Sequence, residues 1–269
     1  MSGPPRFSLR GATPLTLLLA LSASGQSADP PAGIRPEDKR SGYYFQSRET
    51  QAMQDDDPAN PGFLWVLEGE ALWRRAAGAA GMSCASCHRD AAASMKGVAA
   101  RYPAFDAGAG RVVNIEQRIN RCRADRQQAP PFAYESRDLL ALTAYVAYQS
   151  RGTPVRVAID GPARPFFEAG REFFSTRLGQ LNLACKHCHE DSWGRQLRGD
   201  RLSQGYGNAY PIYRLEWQTL GSLQRRLRNC NIGVRAEPYP YGAQEYVNLE
   251  LYLAWRAQGL PIETPGVRR

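Results

Sequence analysis

From Gly62 onward, Leu64, Leu67, Ala71 and Leu72 recur at helical spacing and give a predicted helix one apolar face. Leu139, Leu142, Thr143, Val146 and Ala147 share a face in the same way, behind Ser136, a residue suited to capping a helix start. Val247, Leu251, Ala254 and Trp255 mark a further helix near the chain's end. Nearer the start, an apolar run over residues 15–21, interrupted only by Thr16, follows Arg6 and Arg10 and precedes small residues up to Ala28. That pattern predicts a secretory signal peptide over 1–28. The run is too short to span a bilayer, and no later segment approaches the roughly eighteen apolar residues a spanning helix needs.

Between these elements lie stretches without periodicity. Residues 29–61 are rich in Pro, Asp and Ser, with breakers at Pro58 and Pro61, and predict an irregular extension that Tyr43, Tyr44 and Phe45 pin to a surface. Residues 151–165 are punctuated by Pro and Gly and predict a linker.

The chain repeats itself across that linker. Gly69 stands before Cys84 at the same interval as Gly170 before Cys185. Tyr102-Pro103 and Arg118 precede Cys122 at the same intervals as Tyr210-Pro211 and Arg226 precede Cys230. One internal duplication accounts for all of these matches.

Length and charge narrow the picture. A chain of 269 residues, 43% apolar, has room for two domains of ordinary size. The net charge of +8 comes from arginine, with lysine only at Lys39, Lys96 and Lys186, and no dense basic run carries interleaved aromatics. Nucleic acid is therefore not an expected partner. A diffuse positive field suits small anions or an acidic protein partner.

The chemistry concentrates in Cys84-Ala85-Ser86-Cys87-His88 and Cys185-Lys186-His187-Cys188-His189. In this spacing two thiols add across the vinyl groups of one porphyrin, and the next residue delivers an imidazole to the iron. Each copy predicts one covalently bound haem c, with Cys84, Cys87, Cys185 and Cys188 as attachment points and His88 and His189 as proximal ligands. Zinc sites and redox dithiols also use paired cysteines. Neither calls for a histidine directly after the second cysteine in both copies.

The second axial ligand follows from counting. The chain holds three histidines, His88, His187 and His189, so none is free for the far side of either iron. Met53, Met82 and Met95 occupy no matching positions in the repeats. Cys122 and Cys230 do match, and each is inferred to be the distal thiolate of its own haem. A disulfide between them is the alternative in an oxidising compartment. The predicted fold is mainly α, with two tandem class I cytochrome c-like domains related by duplication. They cover 62–150 and 166–262, and 263–269 forms a tail.

The CxxCH pair, "INRCR" around Cys122 and "RRLRNCNIGVRAEPYPYG" around Cys230 together resemble the dihaem A subunit of the SoxAX cytochromes of bacterial thiosulfate oxidation. The resemblance covers essentially the whole chain after the signal peptide. It implies an L-cysteine S-thiosulfotransferase of the periplasm that pairs with a monohaem SoxX-type cytochrome. Thiosulfate is joined to a cysteine of a SoxYZ-type carrier protein, and two electrons leave through haem to a cytochrome c acceptor. It further implies that Cys230 is the active-site haem ligand, that Arg226 meets the anionic substrate, and that Cys122 ligates the haem of the first domain. Arg225, Arg228 and Arg235 are candidates for steering the anion. Two other readings remain: a dihaem electron carrier with no substrate of its own, and a thiosulfate dehydrogenase that forms tetrathionate.

Overall fold

A computed structural model describes residues 1–3 and 34–269. The predicted signal peptide lies almost wholly outside these residues. Ten α-helices and seven short strands occur among the described residues. Residues 34–61, read from sequence as irregular, contain helix α1 (Arg48–Asp55), which Ser47 caps by accepting from the Thr50 amide. This helix has few apolar residues, so hydrophobic periodicity gave no sign of it. Of the proposed anchors only Phe45 packs against a distant ring, Trp193, at 6.4 Å; Tyr44 is exposed and Tyr43 bonds Asp55 within the extension.

In the first half, α2 (Phe63–Arg74) leads to the CxxCH helix α3 (Cys84–His88) and the short α4 (Ala91–Ser94). A hairpin of β1 (Ala104–Asp106) and β2 (Arg111–Val113) precedes α5 (Ile115–Cys122) and α6 (Arg137–Tyr148). The second half runs in the same order. It comprises α7 (Arg164–Ser175), the CxxCH helix α8 (Cys185–His189), a small β3–β4 ribbon (Gln196–Leu197 and Asp200–Arg201), the hairpin β5 (Ile212–Arg214) and β6 (Thr219–Gly221), α9 (Leu223–Gly233) and α10 (Gln244–Arg256). No helix among the described residues is long and apolar enough to cross a membrane.

Each half is built on one crossed helix pair, α2 on α6 and α7 on α10. The crossing is close because a glycine sits at it. A Cβ on Gly69 would stand 2.1 Å from the Ala141 carbonyl oxygen, and one on Gly170 would stand 2.0 Å from that of Asn248. The first pair buries Trp65, Val66, Trp73, Leu140, Ala141 and Tyr145, and the second Phe167, Phe174, Val247, Leu251 and Tyr252. The face read from sequence for α2 is the wrong one: Leu64 and Leu67 are exposed at 58% and 49%, and the aromatic face turns inward. Both faces satisfy helical periodicity, and the larger rings bury more apolar area. On α6 the expected residues are buried, and so are Leu140 and Ala141; on α10 Val247, Leu251 and Trp255 are buried and Ala254 is half-buried.

The hairpins tie the halves together. Val112 of β2 and Phe105 of β1 pack into the second half's core, while Leu220 of β6 and Tyr213 of β5 pack into the first. Trp65 meets Tyr213 edge-on at 6.0 Å, and Phe105 meets Phe166 at 6.1 Å.

The segments expected to be loose are packed. Val155, Val157, Ile159 and Ala163 of the predicted linker are buried, and Pro154 bridges to Pro261. The predicted tail forms β7 (Gly266–Arg268), which pairs parallel to β5 and covers its free edge. Gln54 of α1 accepts the Val267 amide at 3.0 Å, so the extension holds that strand in place. Three residues beside a Pro-Gly pair carry no readable period, and tertiary pairing alone makes this a strand.

Gly69→Ala and Gly170→Ala should each lower stability by at least ~1–3 kcal/mol, the usual cost of overpacking a closed interface. Gly233→Ala, where a Cβ meets nothing within 4 Å, should not lower it. Chemical denaturation of the three variants measures the difference.

Candidate haem sites

The CxxCH helices are fixed at their starts. In α3 the Ser83 hydroxyl accepts from the Ser86 amide and the Ser86 hydroxyl accepts from the Ser83 amide, both at 3.1 Å. Position 184 is alanine and has no such oxygen. There His187 takes the role of Ser86, its Nδ1 accepting the Ala184 amide at 2.9 Å. The extra histidine of the second motif is therefore a helix cap, a role the spacing alone did not reveal.

The loop before each motif is stitched to the turn after each distal cysteine. Ala79 and Ala80 donate their amides to Gln128 and Gln127; Gln180 and Leu181 donate theirs to Arg235 and Val234. Gly78 and Gly179 make the approach possible. Both have positive φ, and a Cβ on either would stand within 2.2 Å of the facing carbonyl oxygen. This stitching sets Cys84 opposite Cys122 and Cys185 opposite Cys230, and charge on each distal sulfur raises the pKa of the facing thiol. Burial is the larger cause in both, and Cys185 is pushed up to about 12. All six cysteines are free thiols, so no disulfide joins Cys122 to Cys230.

The second histidine is oriented for ligation. His189 Nδ1 lies 2.8 Å from the Ser203 carbonyl, which fixes the proton on Nδ1 and leaves Nε2 free for a metal. Burial pushes its pKa down to about 4, with Arg256 and Arg226 adding to the effect, so the imidazole is held neutral as ligation requires. Gly205 cradles the ring: a Cβ there would come within 2.8 Å of His189 Cγ. His88 is exposed and lies 5.7 Å from the Trp73 ring, whose Nε1 donates to the Arg89 carbonyl.

The donor set suits a large group that joins both sides of each gap. Among the described residues no three His, Cys, Asp or Glu side chains converge as a bare-ion site. A cavity of about 790 Å³ lies at the seam between the loop before the second motif and the turn after α9, lined by Leu178, Gly179, Asn231, Pro238 and Tyr239 among others, and not by the four candidate haem-holding residues themselves. A haem c attached through Cys185 and Cys188 would be held by His189 on one side and Cys230 on the other. Cys84, Cys87, His88 and Cys122 offer the same set in the first half.

The two halves part company over charge. Cys230 lies one turn after Arg226 on α9, and charge on its sulfur is the main influence raising the Arg226 pKa. Among the described residues the Arg226 guanidinium has neither a hydrogen bond nor an ion pair. Its counterpart Arg118 donates to Asp106 at 3.1 Å, and Arg121 pairs with the same carboxylate at 2.6 Å. The residue matching Asp106 in β5 is Arg214, engaged instead by Asp200 and Glu216. A reversed charge at one strand position therefore neutralises Arg118 and leaves Arg226 open. The signal was readable, four residues after each Tyr-Pro, once the repeats were aligned.

Of the other arginines considered for steering, Arg225 faces Glu135 at 3.8 Å and lies over the Trp217 ring, and Arg228 donates to the Tyr239 carbonyl. Only Arg235 is exposed at the cavity mouth.

Comparison with known proteins agrees with this geometry. A family model described as the SoxA/TsdA cytochrome c domain matches twice, over residues 68–155 and 169–262. The SoxA subunit of an L-cysteine S-thiosulfotransferase from Pseudaminobacter salicylatoxidans is 45% identical over 89% of this chain and 84% of that protein. Its counterpart from Rhodovulum sulfidophilum is 44% identical over 87% and 82%. The crystal structure of SoxXA from P. pantotrophus superimposes with a TM-score of 0.82 at 38% identity, covering 85% of this chain and 86% of that one. Two matched CxxCH sites on one mainly helical chain, together with these likenesses along nearly its whole length, place the protein in the SoxA/TsdA cytochrome c family.

Proposed function

We propose that this chain is the dihaem subunit of an L-cysteine S-thiosulfotransferase and that its chemistry takes place at Cys230 and Arg226. One observation carries the assignment to that half: Arg226 is a half-buried guanidinium that has no partner among the described residues and stands beside a candidate ligand thiolate. Thiosulfate is a dianion, and holding it beside a thiolate requires fixed positive charge. Arg118 is committed to Asp106 and cannot supply it.

The overall step joins a carrier cysteine thiol to thiosulfate: RSH + S₂O₃²⁻ → RS–S–SO₃⁻ + H⁺ + 2e⁻. One sulfur–sulfur bond forms, the thiol loses its proton, and the two sulfur centres together lose two electrons. Haem c bound at the motifs supplies one-electron acceptance, so two electrons call for a second acceptor within reach. Arg226 binds and orients the sulfonate end and offsets the repulsion between substrate and thiolate. The turn bearing Arg235 and Pro238 shapes the mouth through which a carrier cysteine enters.

The names of the curated relatives support this reading over a plain electron carrier and over tetrathionate formation. The SoxXA neighbour supports a SoxX-type monohaem partner, with a SoxYZ-type carrier and a cytochrome c acceptor completing the cycle. The matched glycines, motifs and cysteines support an internal duplication. Attached haem c and the sequence of residues 1–28 support a periplasmic location.

Intact mass after acid–acetone treatment should show two covalently bound haems, and one haem or none would overturn the cofactor assignment. Cys122→Ala and Cys230→Ala should each alter one low-spin ferric signal in electron paramagnetic resonance and leave the other intact. Arg226→Ala should keep both signals yet slow turnover with thiosulfate and carrier protein by about a hundredfold or more, the usual effect of removing a charge-stabilising donor. Arg118→Ala should have little effect. Equal loss in the two arginine variants would show that the active site lies elsewhere.

A further inference from the structure

Between the two halves lies a small cavity of about 90 Å³, room for several water molecules. Glu116 and Thr143 of the first half line it together with Asn208 and Glu250 of the second. Glu250 is buried, and its carboxylate accepts from Asn114 Nδ2 at 3.2 and 3.4 Å. Among the described residues Thr143 Oγ1 and Asn208 Oδ1 have no hydrogen-bond partner, although these residues are only 3% and 4% exposed. Buried polar atoms are rarely left unpaired, and two of them facing one cavity with two carboxylates point to a polar guest.

The cavity adjoins both haem sites. Tyr102 and Tyr210 line it, and each also feels the charges of one distal site, Arg118 and Cys122 for the first, Arg226 and Cys230 for the second. We propose that Glu116 and Glu250 form a water-holding proton site shared by the two haem sites, which takes up one proton from solvent when an electron arrives in either half.

Physical chemistry favours a shared proton. Among the described residues neither carboxylate is in an ion pair; Arg111 of β2 is bonded to Gln244 at 2.8 Å, and Arg225 of α9 faces Glu135. Tyr134 donates to Asn114 and carries no charge near neutrality, and the charge of Glu135 opposes that of Glu116. Burial pushes Glu116 up to about 7 and, with the charge of Glu116 behind it, pushes Glu250 up to about 8. Two carboxylates in one small buried cavity do not both ionise easily, so the proton belongs to the pair. Negative charge added at either iron raises the pair's affinity for a proton further. The carboxylate becomes a carboxylic acid as ferric iron becomes ferrous, and charge in the interior is conserved.

The inference rests on haem at both motifs, which the mass measurement tests separately, and not on the substrate. Spectroelectrochemical titration of the two-haem protein from pH 5 to 9, with no thiosulfate present, should show at least one haem potential falling as pH rises. The limiting slope is about 59 mV per pH unit, a tenfold change in proton concentration converted for one electron. Glu116→Gln and Glu250→Gln should flatten it while leaving the haem absorption spectra unchanged. The unmodified protein offers a second measurement: the reduced-minus-oxidised infrared spectrum should gain a protonated-carboxyl band that shifts in D₂O. A pH-independent potential in the unmodified protein, a slope that survives both substitutions, or the absence of that band would overturn the proposal.

Discussion

Everything at the two sites depends on a short backbone seam. In each half the loop that leads into CxxCH donates its amides to the turn that follows the distal cysteine, and a glycine with positive φ lets the two strands of chain touch. Without the seam, the proximal and distal ligands would sit on separate helices with nothing to fix the gap between them. With it, each pair of candidate ligands is held in place by the fold itself. Preorganisation of this kind spends folding energy on the site, and the crossed helix pairs and interlocked hairpins supply it. The first half inserts a π-turn, Arg123–Gln127, directly after Cys122, so the two seams differ by one residue although their pattern is the same.

Against that shared frame, one strand position separates the halves. Asp106 draws Arg118 and Arg121 into a half-exposed cluster. Arg214, at the same place in the second hairpin, repels nearby cations and finds its own carboxylates in Asp200 and Glu216. The result is a closed guanidinium in one half and an open one in the other. A site that must accept a dianion beside a thiolate cannot have its only cation already neutralised. The first half therefore keeps the motif and the matched cysteine but has its arginine already paired.

Much of this was legible in the sequence because haem attachment is a local code. CxxCH places two thioether-forming sulfurs and one iron-binding imidazole within five residues, and with three histidines in the chain elimination leaves Cys122 and Cys230 as the candidates for the far side. The helices α6 and α10 were legible for a related reason, since their apolar residues recur strongly enough to outvote alternatives. Elsewhere the decisive forces act between distant residues. Helix α2 offered two apolar faces, and the aromatic one won because Tyr145 and Tyr213 were there to meet it. Strand β7 exists because β5 had an unpaired edge and Gln54 could hold it. The exchange of hairpins between cores left no trace in periodicity, because three-residue strands are too short to carry one.

That exchange matters for function as well as for folding. Because Val112 belongs to one core and Leu220 to the other, neither half can shift without disturbing its partner, and the distance between the two haem sites is fixed by packing. Oxidising two sulfur centres through one-electron acceptors requires that the second electron leave before the first oxidised species is lost. A fixed neighbour shortens that wait. The same interlocking creates the polar cavity between the halves, lined from both sides. Thr143 and Asn208, Glu116 and Glu250 come in pairs, one member of each from either half. A proton held there, as proposed, would lie between the two candidate haem sites and belong to neither.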